Sequence, residues 1–135
     1  MLVVDASAVL EALAARHKPL GLVERLSADD LAAPHLIDVE VLSALRRLVA
    51  TGELSDDRAN DARFDYAAMA IARFPHESLV DRAWALGEDM TAYDAMYVVL
   101  AEMLESPLIT CDQKLEHSPN HRARVEVFPP THQGS

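Results

Sequence analysis

The sequence predicts an α/β fold, a single domain whose mainly parallel central sheet is flanked by helices. Three observations predict it. Short β-like apolar runs alternate with longer helical patterns along the chain, without repeats or low-complexity stretches. The 135 residues match the length of one domain, and they are half apolar and a quarter charged. Such a chain can bury about two thirds of its unfolded surface. Finally, strands separated by helices are joined by right-handed crossovers, which lay the strands parallel.

The elements follow in order. Leu2-Val3-Val4 is a brief apolar strand that stops at Asp5. Ala6 to Ala15 reads as a helix, broken around Pro19 and Gly21, and Leu22 to Leu26 as a further turn or two. Leu31-Ala32-Ala33 forms a second strand before Pro34. Leu36 to Ala50 is a helix ended by Thr51-Gly52, and Ser55 to about Met69 is another, with Asp56 and Asp57 at the positive end of its dipole. Ala70 to Phe74 is a third strand. Ser78-Leu79-Val80-Asp81 fits a capping box for a helix through Glu88, and Thr91-Ala92-Tyr93-Asp94 repeats the pattern before an apolar helix to about Glu105. Leu108-Ile109-Thr110 and Val125 to Phe128 are the last strands. Residues 1–128 are read as the domain and 129–135 as a mobile tail. Trp84, Phe64 and the methionines fall in helical patterns and are expected in the core, as is the small thiol of Cys111. His17, between Arg16 and Lys18, is expected at the surface.

Several function classes are excluded or disfavoured. Lys and Arg total 12 against 22 Asp and Glu, a formal charge of −10. That argues against broad electrostatic capture of a polyanion, unless cations or a local basic patch intervene, and it favours a basic partner. One cysteine excludes an internal disulfide and fits a reducing compartment. No run approaches the ~18 apolar residues of a membrane span. The N-terminus lacks a basic leader, so a cytoplasmic location is expected.

Four acids stand in apolar settings. Asp5 follows the first strand, Glu40 lies early in the helix after the second, Asp94 opens the apolar helix, and Asp112 follows the strand ending in Thr110. In a parallel sheet, strand ends and the starts of the following helices share one edge, which is where ligands bind in such folds. Each acid also has a plainer role. Asp5 suits a helix cap, Asp94 the acidic slot of a capping box, and Asp112 a helix start, where Thr110 and Gln113 resemble a further box. Glu40 suits a surface pair with Arg47, which would stabilise little.

Asp94 nevertheless heads a run, Ala95 to Ala101, without any charge, and no Lys or Arg occurs between Arg82 and Lys114. Two carboxylates about 4 Å apart repel by roughly 4 kcal/mol at an effective dielectric of 20. Four sharing a pocket therefore need a cation or bound protons. All-oxygen ligands suit a hard ion such as Mg²⁺, and no Cys/His cluster at zinc spacing competes.

The stretches Leu-Val-Val-Asp5-Ala-Ser7-Ala, Pro34-His-Leu-Ile-Asp-Val-Glu40-Val-Leu-Ser-Ala-Leu, Thr91-Ala-Tyr-Asp94-Ala and Leu-Ile-Thr110-Cys-Asp112-Gln-Lys-Leu together resemble the PIN-domain family. More narrowly, they resemble its VapC toxins. The resemblance covers nearly the whole chain in order and spacing. It implies a Mg²⁺- or Mn²⁺-dependent endoribonuclease that hydrolyses phosphodiester bonds and leaves a 5′-phosphate. It carries the acidic site onto Asp5, Glu40, Asp94 and Asp112, with Ser7 and Thr110 as supporting hydroxyls. Glu116 is an outer or second-metal contact, or else a solvated helix end. Arg46, Arg47 and Lys114 adjoin the site as phosphate contacts, or form a solvated helix face. Many relatives carry Asn where this chain has Ser43, which bears on the support of the site. The resemblance also implies a cognate VapB-like antitoxin laid over the cleft. The family's usual homodimer would use the second apolar side of the helix from Leu36, formed by Leu36, Val39 and Leu42. The alternative is a catalytically silent PIN module that only binds a partner.

Overall fold

The central strand is the first one made. In the computed structural model, which describes residues 1–131, β1 (Leu2–Val4) pairs with β2 (Leu31–Pro34) on one side and β4 (Leu108–Thr110) on the other. Beyond β2 lies β3 (Ile71–Phe74), and beyond β4 lies β5 (Val125–Val127), giving the order β3-β2-β1-β4-β5. Every pairing is parallel. β1, β2 and β4 are buried throughout, as strands covered on both faces must be, and accordingly read as continuous apolar runs.

Among the described residues, seven α-helices flank the sheet. They are α1 (Ala6–Ala14), α2 (Leu22–Ser27), α3 (Ile37–Ala50), α4 (Asp56–Ala68), α5 (Val80–Leu86), α6 (Ala92–Leu104) and α7 (Lys114–His117). α3 buries Ile37, Val41, Ala44 and Leu45, one stripe at helical spacing. α6 buries Ala95 and every residue from Tyr97 to Ala101, so it is enclosed on most sides. Side-chain bridges fasten the margins. Arg25 on α2 grips Glu126 on β5 through two bonds of 2.8 and 2.9 Å. Arg73 on β3 and Tyr66 on α4 both donate to Asp38 on α3.

Gly21 precedes α2 at φ 83°, in the left-handed region, where a side chain is strained even though a Cβ would meet the Phe128 ring only at an ordinary contact distance of 3.7 Å. Gly21→Ala is expected to destabilise the protein by about 1 kcal/mol, read as a lower urea midpoint with an unchanged slope.

Several expectations are corrected. Trp84 and Phe64 are not in the core: they are 86% and 73% exposed. Two residues along a helix turn the side chain by about 200°, so Phe64 points away from buried Ala62 and Tyr66, and Trp84 away from buried Leu86. Met103 is exposed as well, whereas Met69, Met90 and Met96 pack against the core. The Ser78 capping box does not form. A 3-10 turn at Glu77–Leu79 leads into α5 without a side-chain cap, and α5 ends at Leu86 before a second turn, Gly87–Asp89. Nor is there a Thr110–Gln113 box, since α7 starts at Lys114. β5 ends at Val127, and Phe128 lies beyond it with its N–H on the Thr110 carbonyl at 2.8 Å. The end of the tail expected to be mobile, residues 132–135, lies outside the described residues. No helix among the described residues is long and apolar enough to cross a membrane.

Candidate active site

The strand order switches sides at β1: β2 and β3 extend the sheet one way, β4 and β5 the other, which opens a crevice at the carboxyl ends of β1 and β4. Asp5 leaves β1 into that crevice and is only 6% exposed. Its Oδ1 accepts from the Ala8 N–H at 3.0 Å, capping α1, and from the Ser7 hydroxyl at 2.7 Å. Its Oδ2 accepts from the Thr110 hydroxyl at 2.5 Å. Both hydroxyls in turn accept backbone N–H groups, Ser7 from Cys111 and Thr110 from Asp112, each at 3.0 Å. One buried carboxylate and two hydroxyls therefore stitch the end of β1 to the end of β4, and they aim Asp112.

The other acids arrive from helix starts, which share this edge of the sheet. Asp94 lies in the first turn of α6, where its N–H donates to the Thr91 hydroxyl at 3.1 Å. Glu40 lies in the first turn of α3 and accepts from the buried Tyr97 hydroxyl at 2.5 Å. Asp112, two residues before α7, accepts the Lys114 N–H at 3.0 Å, with the Lys114 ammonium 3.7 Å away. That ammonium is 79% exposed and compensates little.

Electrostatics make Asp94 the hub. Its charge repels those of Asp5, Glu40 and Asp112. Burial above all pushes the Asp5 carboxyl up to about 6, against the pull of its three hydrogen bonds and with a further push from Asp94. Glu40 is raised by burial and by Asp94, against the Tyr97 bond. Asp94 is raised by burial and by Asp112, against Lys114 and Thr91. Burial lifts the neighbouring Cys111 thiol to about 12, which keeps it protonated and unreactive at neutral pH.

Two open clefts flank the acids. One, of about 490 Å³, is lined by Ser7, Glu40, Ser43, Arg47 and Tyr93 among others. The other, of about 350 Å³, holds Thr91, Asp94, Glu88, Asp89 and Lys114. Arg47 and Lys114 thus border the acids. Arg46 lies elsewhere, in a groove between α3 and α4 with Asp56 and Asn60. Glu116 is exposed, 3.5 Å from His117, and lines neither cleft. Glu40 makes no ion pair with Arg47; its partner is Tyr97. Sequence reasoning passed over Tyr97 as a site residue, although its position three residues after Asp94 placed it on the same helix face.

The donor set fits a hard divalent ion by its chemistry: carboxylate oxygens only, two hydroxyl supports, and three acids raised by burial and, to a lesser degree, by one another. In this arrangement the set is not drawn closed. Among the described residues no three His, Cys, Asp or Glu side chains stand together as a group able to hold a metal ion. Glu40, Asp94 and Asp112 are only partly buried.

A five-stranded parallel sheet carrying acids at this edge defines the class: residues 2–119 match the PIN domain family, and the chain belongs to it. Within it, the chain stands with the VapC proteins. It is 40% identical over 127 residues to Ribonuclease VapC1 of Mycobacterium tuberculosis, an alignment covering 93% of this chain and 96% of that one. Among solved structures, PAE2754 from Pyrobaculum aerophilum superposes with a TM-score of 0.68 at 25% identity, over 93% of this chain and 83% of the other. A toxin-antitoxin complex from Klebsiella pneumoniae shares the fold, with a TM-score of 0.63 at 15% identity over 88% and 93%.

Proposed function

We propose that the protein is a metal-dependent endoribonuclease toxin of the VapC type, working in the cytoplasm and held in check by a cognate antitoxin. Asp5, Asp94 and Asp112, with Glu40 beside them, would hold Mg²⁺, and Mn²⁺ could replace it. The observation that carries the reading is the placement of Asp5, Glu40, Asp94 and Asp112 at one edge of the sheet, where burial first and mutual repulsion second raise three of them, a cost that a cation or protons relieve. When bound, such an ion lowers the pKa of water and offsets charge on a scissile phosphate. The remaining work belongs to the chain. Thr110 and Ser7 keep Asp5 fixed by donating to both of its oxygens. The bond from the Lys114 N–H would hold the Asp112 carboxylate at the crevice mouth. Arg47 and Lys114, on opposite sides of the acids, offer positive charge to flanking phosphates of an RNA strand. The ribonuclease name of VapC1 supports the substrate class.

The testing experiment is RNA cleavage by the purified protein. Cleavage that is lost in EDTA and regained with Mg²⁺ supports the reading. A protein that cleaves no RNA in any divalent salt is instead a silent binding module. Arg47→Ala is expected to raise KM several-fold with little change in kcat, and to reduce the salt dependence of RNA binding by about one phosphate contact.

An antitoxin partner is supported by the toxin-antitoxin complex that shares this fold and by the net charge of −10, which suits a basic segment. Self-association is part of the same reading. Val39 and Leu42, 68% and 46% exposed, face outward from α3, an apolar surface without a partner in the single chain. Light scattering is expected to give twice the chain mass, and Val39→Asp with Leu42→Asp to give the monomer.

A further inference from the structure

The geometry points to Tyr97 as a positioning residue that sets Glu40 against Asp94 for metal capture, an inference that rests on the metal-dependent reading above. Tyr97 is 2% exposed, and its hydroxyl donates to Glu40 Oε1 at 2.5 Å. Asp94 and Tyr97 sit three residues apart on α6, so both occupy one side of that helix. Asp94 reaches the crevice from the first turn, while Tyr97 runs beneath to α3. A single hydroxyl thus ties the helix bearing one acid to the side chain of another.

The placement is specific. Glu40 has a long side chain with three rotatable bonds on the partly exposed edge of α3, and its carboxylate is repelled by Asp94. Without a donor it would swing toward solvent. Among the described residues no Lys or Arg donates to it, and the hydrogen bond on its carboxylate comes from Tyr97. Burial and the adjoining carboxylate both hold the phenol in its protonated form, so it donates throughout the working pH range. A donor that neither carries charge nor loses its proton can hold a carboxylate without competing with a cation for it. Arg or Lys in the same place would neutralise the ligand. Tyr97 therefore does for Glu40 what Ser7 and Thr110 do for Asp5, from a different wall of the site.

The test is Tyr97→Phe, which removes one oxygen and keeps the ring that packs α6. Titrated calorimetrically with Mg²⁺ alone, without RNA, the variant is expected to bind the ion about 10-fold more weakly than wild type. Excess Mg²⁺ should restore kcat while KM for RNA stays at the wild-type value. In a Glu40→Ala background, Tyr97→Phe should cost nothing further, because the carboxylate it positions is gone. Circular dichroism of the metal-free variant checks that the fold is intact. Wild-type Mg²⁺ affinity in Tyr97→Phe, or the same loss with and without Glu40, overturns the inference and leaves the ribonuclease reading in place. A wild-type protein that binds no Mg²⁺ removes both.

Discussion

Asp5→Asn is expected to abolish RNA cleavage and, at the same time, to raise the melting temperature of the metal-free protein near pH 8. The Asp5 carboxyl is lifted from its ordinary 3.8 to about 6, chiefly because it is buried. An acid raised in the folded state binds more protons folded than unfolded, so stability falls as pH rises through the interval from about 4 to 6. Below that window both states are protonated and the penalty vanishes; above it the full cost remains, about 3 kcal/mol on the order-of-magnitude scale of 1.36 kcal/mol per unit. Glu40 and Asp94 are shifted in the same direction and steepen the effect. Asparagine keeps an oxygen for the α1 cap and carries no charge, so several degrees of melting temperature should be recovered. The measurement is thermal unfolding against pH, with and without Mg²⁺. Wild type should be more stable at pH 5 than at pH 8 in EDTA, and Mg²⁺ should reverse that order. An Asp5→Asn protein with a lower melting temperature at pH 8 would show that the hydrogen bonds of Asp5 outweigh its burial.

The second large effect is expected at Asp94. Asp94→Asn removes the charge that repels the other three acids, and cleavage should fall by about 10³-fold or more. The fold should survive, because the α6 cap uses the backbone N–H of residue 94 and the Thr91 hydroxyl, neither of which the substitution alters. With the repulsion gone, the Asp5 and Glu40 carboxyls should move down slightly while burial still holds them above their ordinary values, visible by carbon NMR of the labelled side chains. Single-turnover cleavage separates this from a binding defect. Activity within a few-fold of wild type would remove Asp94 from the proposed chemistry.

Much of this architecture was readable from patterns alone, and the gaps have physical causes. The apolar runs at β1, β2 and β4 are continuous because both faces of a parallel sheet are covered, so they stand out in the chain. The acids were legible for a related reason. A carboxylate directly after such a run, or at the head of the uncharged stretch after Asp94, is costly to bury and therefore conspicuous. Trp84 and Phe64 lie outside the core because size and hydrophobicity do not decide which face of a helix a residue occupies, and a 200° offset from a buried neighbour does. The Ser78 cap failed because backbone 3-10 bonding at Glu77–Leu79 already supplies the turn into α5. Tyr97 and the Arg73–Asp38–Tyr66 bridge escaped notice because each joins residues far apart in the chain, 57 positions for Tyr97 and Glu40, and only the folded topology brings them together.

The bond from Thr110 to Asp5 spans 105 positions. A ribosome adding about 5–20 residues per second makes Asp5 several seconds before its partner strand exists. Until β4 emerges, β1 has only one neighbour and the crevice has only one wall. A nascent chain therefore carries an unfinished cleft for most of its synthesis. On the proposed function, a chain that stops before β4 lacks Thr110 and Asp112 and is expected to be inactive.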